Sequence, residues 1–316
     1  MAFEVFMRAA LLVVFISASL LSVQAQNKSS SSSTSAGDVA VVSVVQQVPD
    51  RAEMIMKALS AAYPDILGPA QYVNGDWAVA VRGVLYFYAG ARLLPARLLS
   101  QAEQYAPQPF YTYPEEMPAW KTPTAEESER MKSAALRRRS QPLKRSSLFW
   151  DAVYRASSKD EAYERLKTIR FLGHNVMVHY SILEELSLVE EQIFAAAKTD
   201  AQVQKWINGI NTLSAWNWRN IAQTETRSYH AYAAALDILP KQSGGLETYW
   251  LWTSEKNPQW WMVPYEKRLH PPDAVIKAFE RYGFIWGGKW SFYDTMHFEY
   301  RPELLILSDI QKAQFH

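Results

Sequence analysis

The rhythm of hydrophobic and polar positions changes several times along the chain. Between residues 50 and 70, Met54, Met56, Leu59 and Ala62 recur near helical spacing and predict an opening helix. Trp77, Val79 and Val81 then alternate with Ala78, Ala80 and Arg82. Gly83 breaks that run before "VLYFYA", so Gly75 to Gly90 reads as a β-hairpin. Ala106 to Thr124 is proline-rich and predicts an extended segment wrapping a surface. A broad apolar face of Leu166, Ile169, Leu172, Val176, Ile182 and Leu186 predicts one long helix from about Asp160 to Ala197. Asp200 can cap a further helix that Gly209 ends. The chain then turns strand-like and aromatic, with nine of the twelve tryptophans beyond Thr199. Asp273 to Phe284 predicts a last helix, preceded by Pro271 and Pro272, capped by Asp273 and closed by Gly283. No internal repeat is visible.

Two of the strand-like stretches carry chemistry. Leu236 and Ile238 flank Asp237 as in a half-buried strand, where a carboxylate is costly unless a cation meets it. In "MHFEY", Met296, Phe298 and Tyr300 alternate with His297 and Glu299, so an apolar core face backs a polar one. Asp294 stands three residues before His297, where a turn can swing it over the same polar face. His230 precedes Asp237 by seven residues. On a helix that separation climbs about 10.5 Å, and on one straight strand an odd spacing gives opposite faces. Ligand atoms of one zinc ion lie only about 2.0–2.2 Å from the metal. If the two cooperate, the run Ala231 to Ala235 must therefore bend the chain. With His297 added, three ligands leave a fourth position open to water. Zinc lowers the pKa of such water to ~7, and Asp294 is placed to take its proton. His174 and His179, five residues apart, do not share a helix face and read as core or surface histidines.

Composition removes several alternatives. A formal charge of +1 over 316 residues gives no electrostatic case for a nucleic-acid partner. The basic cluster Leu136 to Arg145 reads as a solvated linker rather than a phosphate-binding patch. The absence of cysteine excludes disulfides, thiolate zinc sites and lipoprotein anchoring, so a metal site here must use His, Asp and Glu. At the N-terminus, Arg8 precedes the uncharged run Ala9 to Val23, which is shorter than the roughly 18 residues a bilayer span needs. Val23 and Ala25 then supply small residues where a signal peptidase reads. Residues 1–25 are therefore expected to be a secretory signal, although Glu4 leaves an uncleaved anchor open. Residues 26–49 form a serine-rich tether.

"SYHAYAAALD" (Ser228 to Asp237) resembles the Ser-x-His-x-x-Gly-x-Ala-x-Asp signature of the zinc D-alanyl-D-alanine carboxypeptidases and L-alanyl-D-glutamate endopeptidases. These peptidoglycan peptidases include the vancomycin-resistance D,D-peptidases and several phage endolysins. "WGGKWSFYDTMHFE" resembles the Trp-Gly-Gly-x-Trp and Asp/Glu-x-x-His stretches of the endopeptidase branch. The resemblance spans roughly Asp200 to Leu305. It implies His230, Asp237 and His297 as ligands of Zn2+, Asp294 as general base and Ser228 beside the substrate. It also implies an upstream arginine that holds the substrate and polarises its carbonyl; Arg219 in "WNWRN" fits that role, with Arg227 as competitor. Glu299 could orient a ligand or face solvent. The family's glycine after the first ligand is Ala233 here. If that position needs a positive φ, alanine there costs about 1 kcal/mol or more.

The expected architecture is α+β: a small antiparallel sheet with flanking helices, hedgehog/D,D-peptidase-like, carrying a zinc site over residues 200–316. A mostly helical region with a hairpin, residues 50–199, precedes it. The expected function is hydrolysis of D-amino-acid-containing peptidoglycan stems in the periplasm or cell envelope. No stable membrane insertion is expected once the signal is cleaved. Carboxypeptidase is favoured over endopeptidase, and a non-catalytic zinc-containing cell-wall binder is the alternative of another class. A sugar-binding module would rest on the tryptophans alone.

Overall fold

The computed structural model describes residues 50–313, so the expected leader and tether lie outside the described residues. Helix α1 (Arg51–Ala62) starts at Asp50, whose carboxylate accepts the Ala52 amide at 3.2 Å. It buries Met54, Ile55, Met56 and Leu59 and packs along α9 (Pro302–Ala313) near the other end of the chain. The hairpin expected at Gly75 to Gly90 is β2 (Asp76–Val81) with β3 (Val84–Phe87). Arg82 and Gly83 turn it, with φ of 50° and 81°, the left-handed pair that a two-residue hairpin turn needs. Strands β1 (Gln71–Val73) and β4 (Leu94–Pro95) extend it to a four-stranded antiparallel sheet.

The proline-rich stretch has no regular structure, as expected, and it is anchored to the core. Phe110 and Tyr113 are buried, and the Trp286 amide donates to the Tyr113 hydroxyl at 2.9 Å. Helix α2 (Ala125–Ser140) opens with a Thr124–Glu127 capping box and buries no residue fully. The short helix α3 (Leu148–Tyr154) buries Phe149, Trp150, Val153 and Tyr154.

The long helix expected from Asp160 to Ala197 is instead two helices separated by a β-hairpin. Helix α4 (Lys159–Glu164) is followed by a hairpin of β5 (Leu166–Phe171) and β6 (His174–His179), and only then by α5 (Leu183–Ala197). The spacing of Leu166, Ile169, Leu172 and Val176 imitates a helical stripe. The Leu172–Gly173 pair, with φ of 47° and 84°, decides the matter as a tight hairpin turn. The region 50–199 thus carries six strands rather than a single hairpin.

Helix α6 (Ala201–Gly209) is capped by Asp200, which accepts from the Gln202 amide at 2.8 Å. The second four-stranded sheet has the order β7 (Ile210–Ser214), β8 (Ala235–Pro240), β10 (His297–Tyr300), β9 (Phe284–Trp286), with every pair antiparallel. Helix α7 (Trp250–Lys256) lies between β8 and β9, as does α8 (Asp273–Arg281). Pro272 rather than Asp273 occupies the N-cap of α8, and Asp273 sits in its first turn. The described residues form one compact unit. Its main core runs from Met54 and Leu59 through Val178 and Ile193 to Phe298 and Leu307, without a break near Asp200. Among the described residues no helix is long and apolar enough to cross a membrane.

Candidate active site

His230 rides on a single turn of 3-10 helix, Tyr229–Tyr232. Ser228 caps that turn, its hydroxyl oxygen accepting the His230 amide at 3.3 Å. Ala233 then adopts a left-handed conformation, φ 52° and ψ 32°, and redirects the chain into β8. The run after His230 does bend, and the residue that bends it is alanine where the resembled signature has glycine. On β8, Asp237 stands directly opposite His297 of β10. The Ile238 amide donates to the Met296 carbonyl at 2.9 Å, which makes 237/297 a non-hydrogen-bonded pair, the kind whose side chains approach closest.

Three side chains therefore converge. His230 Nε2 lies 3.2 Å from Asp237 Oδ2, and His297 Nδ1 lies 3.0 Å from Asp237 Oδ1. The two imidazole nitrogens are 3.2 Å apart, and the three potential ligand atoms all fall within 4.8 Å of one another.

The outer nitrogens settle whether this group suits a cation. His230 Nδ1 meets the Ala215 carbonyl at 2.6 Å. A carbonyl oxygen can only accept, so Nδ1 carries the proton and Nε2 turns a lone pair inward. His297 Nε2 likewise donates to Glu299 Oε2 at 3.1 Å, leaving its Nδ1 lone pair inward. Two lone pairs at this separation repel unless a cation joins them. A proton can serve: burial alone lowers the His297 pKa, but its bonds to Asp237 and Glu299 raise it to about 10. Burial would raise Asp237, yet hydrogen bonds from the inner imidazole nitrogens, where these carry a proton, hold its carboxyl well below the usual range. A metal ion can serve equally. Two imidazole nitrogens and a carboxylate, each histidine oriented by an outer acceptor, are a donor set that fits zinc.

Asp294 is half-buried, and its Oδ1 is sealed from solvent with no hydrogen-bond partner among the described residues. Burial pushes its pKa up to about 7, aided by Asp237 and opposed by His297 and Arg219. Together with Glu299 it stands in the wall of a cavity of about 570 Å3. Glu299 faces His297 rather than solvent, and its other oxygen accepts from Arg301 at 3.0 Å. The arginines separate. Arg227 also lines the cavity but is committed to Asp151 at 2.7 Å and packs over the Trp218 ring. Arg219 is exposed in a segment without regular structure, donates to the Asn220 carbonyl at 3.3 Å, and is close enough to influence Asp294. Ser228 is buried beneath the site as the cap just described and does not line the cavity.

One part of the arrangement escaped the sequence reading. Arg301 is 2% exposed and bridges Glu299 to Glu303, which is fully buried and accepts from the Tyr63 hydroxyl at 3.0 Å. A line of alternating charge thus runs from His297 back to the end of α1. Its signal was present in "HFEYRPE", where His297, Glu299, Arg301 and Glu303 fall on every second residue.

Residues 222–300 match the family model described as D-alanyl-D-alanine carboxypeptidase, and residues 55–110 match that of a domain of unknown function. No curated protein and no solved structure matches the chain. The first match encloses the three converging residues, Asp294 and Glu299, and stops just short of Arg301. The stretch that carries these side chains is therefore similar to the D-alanyl-D-alanine carboxypeptidase family of peptidases.

Proposed function

We propose that the chain is an exported zinc peptidase that hydrolyses D-amino-acid-containing peptide stems of peptidoglycan, with D-alanyl-D-alanine carboxypeptidase as its leading activity. The observation that carries this reading is the inward convergence of His230, Asp237 and His297 beside a half-buried carboxylate, Asp294, that has an unpartnered oxygen. His230, Asp237 and His297 would hold the zinc, which supplies a Lewis acid for the scissile carbonyl and for the attacking water. Asp294 accepts the proton of that water as its hydroxyl adds to the carbonyl carbon. It then returns a proton to the departing amine as the C–N bond breaks. A pKa near 7 suits both transfers at neutral pH, and a cation at the neighbouring cluster lowers it further toward the base form. Glu299 and the Ala215 carbonyl hold the two imidazoles in the tautomers that keep their lone pairs inward. Arg219, which has no carboxylate partner among the described residues and is close enough to influence Asp294, is assigned to the carbonyl oxygen, because Arg227 is already neutralised by Asp151.

Pentapeptide stems incubated with the purified protein, with and without chelator, test the reading. Release of free D-alanine that chelator abolishes supports it. The likeness of "WGGKWSFYDTMHFE" to the endopeptidase branch favours one second reading, cleavage after L-alanine or at a cross-link, and the same digest reports it. No cleavage of stems or of intact peptidoglycan would leave a non-catalytic binder. Export is tested by N-terminal sequencing of the protein from its native compartment, where a start at Gln26 is expected and an intact Met1 in membranes would favour an anchor.

A further inference from the structure

The cavity beside Asp294 is closed on one side by residues outside the family match, between Gln108 and Trp150. Five cationic side chains line it, and their charges are not balanced alike. Arg227 pairs with Asp151 at 2.7 Å, Lys289 with Glu280 at 2.6 Å, and Arg301 with Glu299 and Glu303. Arg138 and Arg145 have no carboxylate partner among the described residues. Arg138 donates from Nη2 to the Ala222 carbonyl at 3.2 Å, while its Nε is sealed from solvent with nothing to bond. The rings of Trp250 and Phe292, each 5.6 Å away, hold the guanidinium in place. Arg145 donates from Nε to the Pro107 carbonyl at 2.7 Å. Each guanidinium has five N–H donors, so several remain on both.

Both arginines are half-buried, and burial lowers the pKa of each; Arg138 adds like-charge repulsion at Arg145. Two uncompensated guanidiniums in one partly dry wall are unfavourable until an anion joins them. Arg137 and Arg139, between and beside them in sequence, point to solvent. The reading of this basic cluster as a solvated linker is therefore corrected twice: Arg137 and Arg139 are solvated but lie on helix α2, and Arg138 and Arg145 turn into the cavity wall.

We propose that Arg138 and Arg145 form a carboxylate-binding subsite that receives a free carboxylate of the peptide cut at the neighbouring site. The proposal rests on the peptidase reading for its ligand, since the planar fork of arginine matches a carboxylate and a peptide stem offers two. One is the C-terminal α-carboxylate; the other is that of the D-glutamyl residue. It also gives the segment before residue 150 a part in substrate selection.

The test uses the full chain and the stem L-alanyl-D-γ-glutamyl-L-lysyl-D-alanyl-D-alanine in three forms: free acid, C-terminal amide and D-isoglutamine form. Binding to chelator-treated protein is read by tryptophan fluorescence, because Trp150, Trp250 and Trp290 line the cavity. The free acid should bind roughly tenfold or more tighter than the form lacking the recognised carboxylate. The sensitive form identifies which carboxylate it is. Arg138→Gln and Arg145→Gln should each remove most of that preference while leaving binding of the neutralised form unchanged. Arg138→Lys should keep part of it, since it keeps the charge and loses the fork. Equal binding of all forms by the wild type, or equal weakening of all forms in the variants, would overturn the subsite. The wild-type comparison decides alone if the glutamine variants fail to fold. Selective binding without cleavage by the zinc-loaded protein would sink the peptidase reading and leave the subsite. Cleavage without selectivity would do the reverse.

Discussion

Arg301→Met should be the most damaging single change near the site that touches neither a proposed ligand nor the proposed base. Arg301 is 2% exposed and bonds Glu299 Oε1 at 3.0 Å and Glu303 Oε1, itself on a fully buried side chain. The guanidinium also packs over the rings of Trp150 and Tyr229, 5.5 and 5.0 Å from their centroids, so methionine preserves most of the apolar contact and removes the charge. Two buried carboxylates then lose their shared cation. Deleting one partner of a buried pair costs about 3–5 kcal/mol. An upper bound follows from the alternative of neutralisation: protonating an ordinary glutamate at pH 7 costs about 1.36 × (7 − 4.3), or roughly 3.7 kcal/mol per carboxylate. A loss of about 4 kcal/mol is therefore expected, from one carboxylate neutralised and the other partly held by its remaining partner. The assay is urea unfolding of the chelator-treated protein at pH 7, followed by tryptophan fluorescence, with an unchanged slope. Arg301→Met combined with Glu303→Leu should recover at least about 1 kcal/mol, because one stranded carboxylate is gone. A loss under about 1 kcal/mol for the single variant, or no recovery in the double, would refute the view that this line of charge is mutually dependent.

Three further predictions concern the site and its support. Asp294→Asn should keep its zinc and lose about 10²–10⁴-fold in turnover on stem peptides, whereas Asp237→Ala should lose both metal and activity; metal analysis beside kinetics checks this, and a fully active Asp294→Asn would end the base assignment. His179, buried with Nε2 bonded to the Tyr154 carbonyl and Nδ1 accepting from Ser181, has its pKa lowered to about 4 by burial. The unfolded chain therefore takes this proton first, so stability should fall as pH drops through about 6.5 and level off below 4, by roughly 3 kcal/mol. That loss should be missing from His179→Gln in parallel acid titrations of stability. At Ala233, fully buried at φ 52°, valine should cost several kcal/mol because a β-branched residue resists that conformation. Ala233→Gly should stay within about 1 kcal/mol of wild type, since conformational relief is offset by a lost methyl contact and a more flexible unfolded chain.

The sequence was most informative where one residue type can serve only one geometry. Gly83 turns the first hairpin where expected, Asp200 caps α6, and the strict alternation of "MHFEY" places Phe298 in the core and Glu299 against His297. It was least informative where apolar spacing satisfies two periods at once. Leu166, Ile169, Leu172 and Val176 fit a helix stripe, and only the left-handed turn at Leu172–Gly173 reveals the hairpin. That hairpin bears on the site, because the His179 amide donates to the Ala233 carbonyl at 3.0 Å and so braces the bend that follows His230.

What lay beyond reach was everything that depends on distant segments meeting. His230, Asp237 and His297 announce themselves by type and spacing, yet the carbonyl that orients His230 belongs to Ala215, and any residue type could have supplied it. The same limit explains the arginines. Arg138 and Arg139 are adjacent and chemically identical in sequence, and only the fold turns one toward the cavity and the other toward water. A basic run is usually a solvated face, because each charge costs little there. Moving two of its members into a partly dry wall costs several kcal/mol unless something compensates. Among the described residues, three of the five cations in that wall are compensated by carboxylates and these two are left without one. The uneven balance lies beside a site whose proposed substrates carry carboxylates. The segment that looked like a linker is therefore the part of the molecule where selectivity among peptides should first be sought.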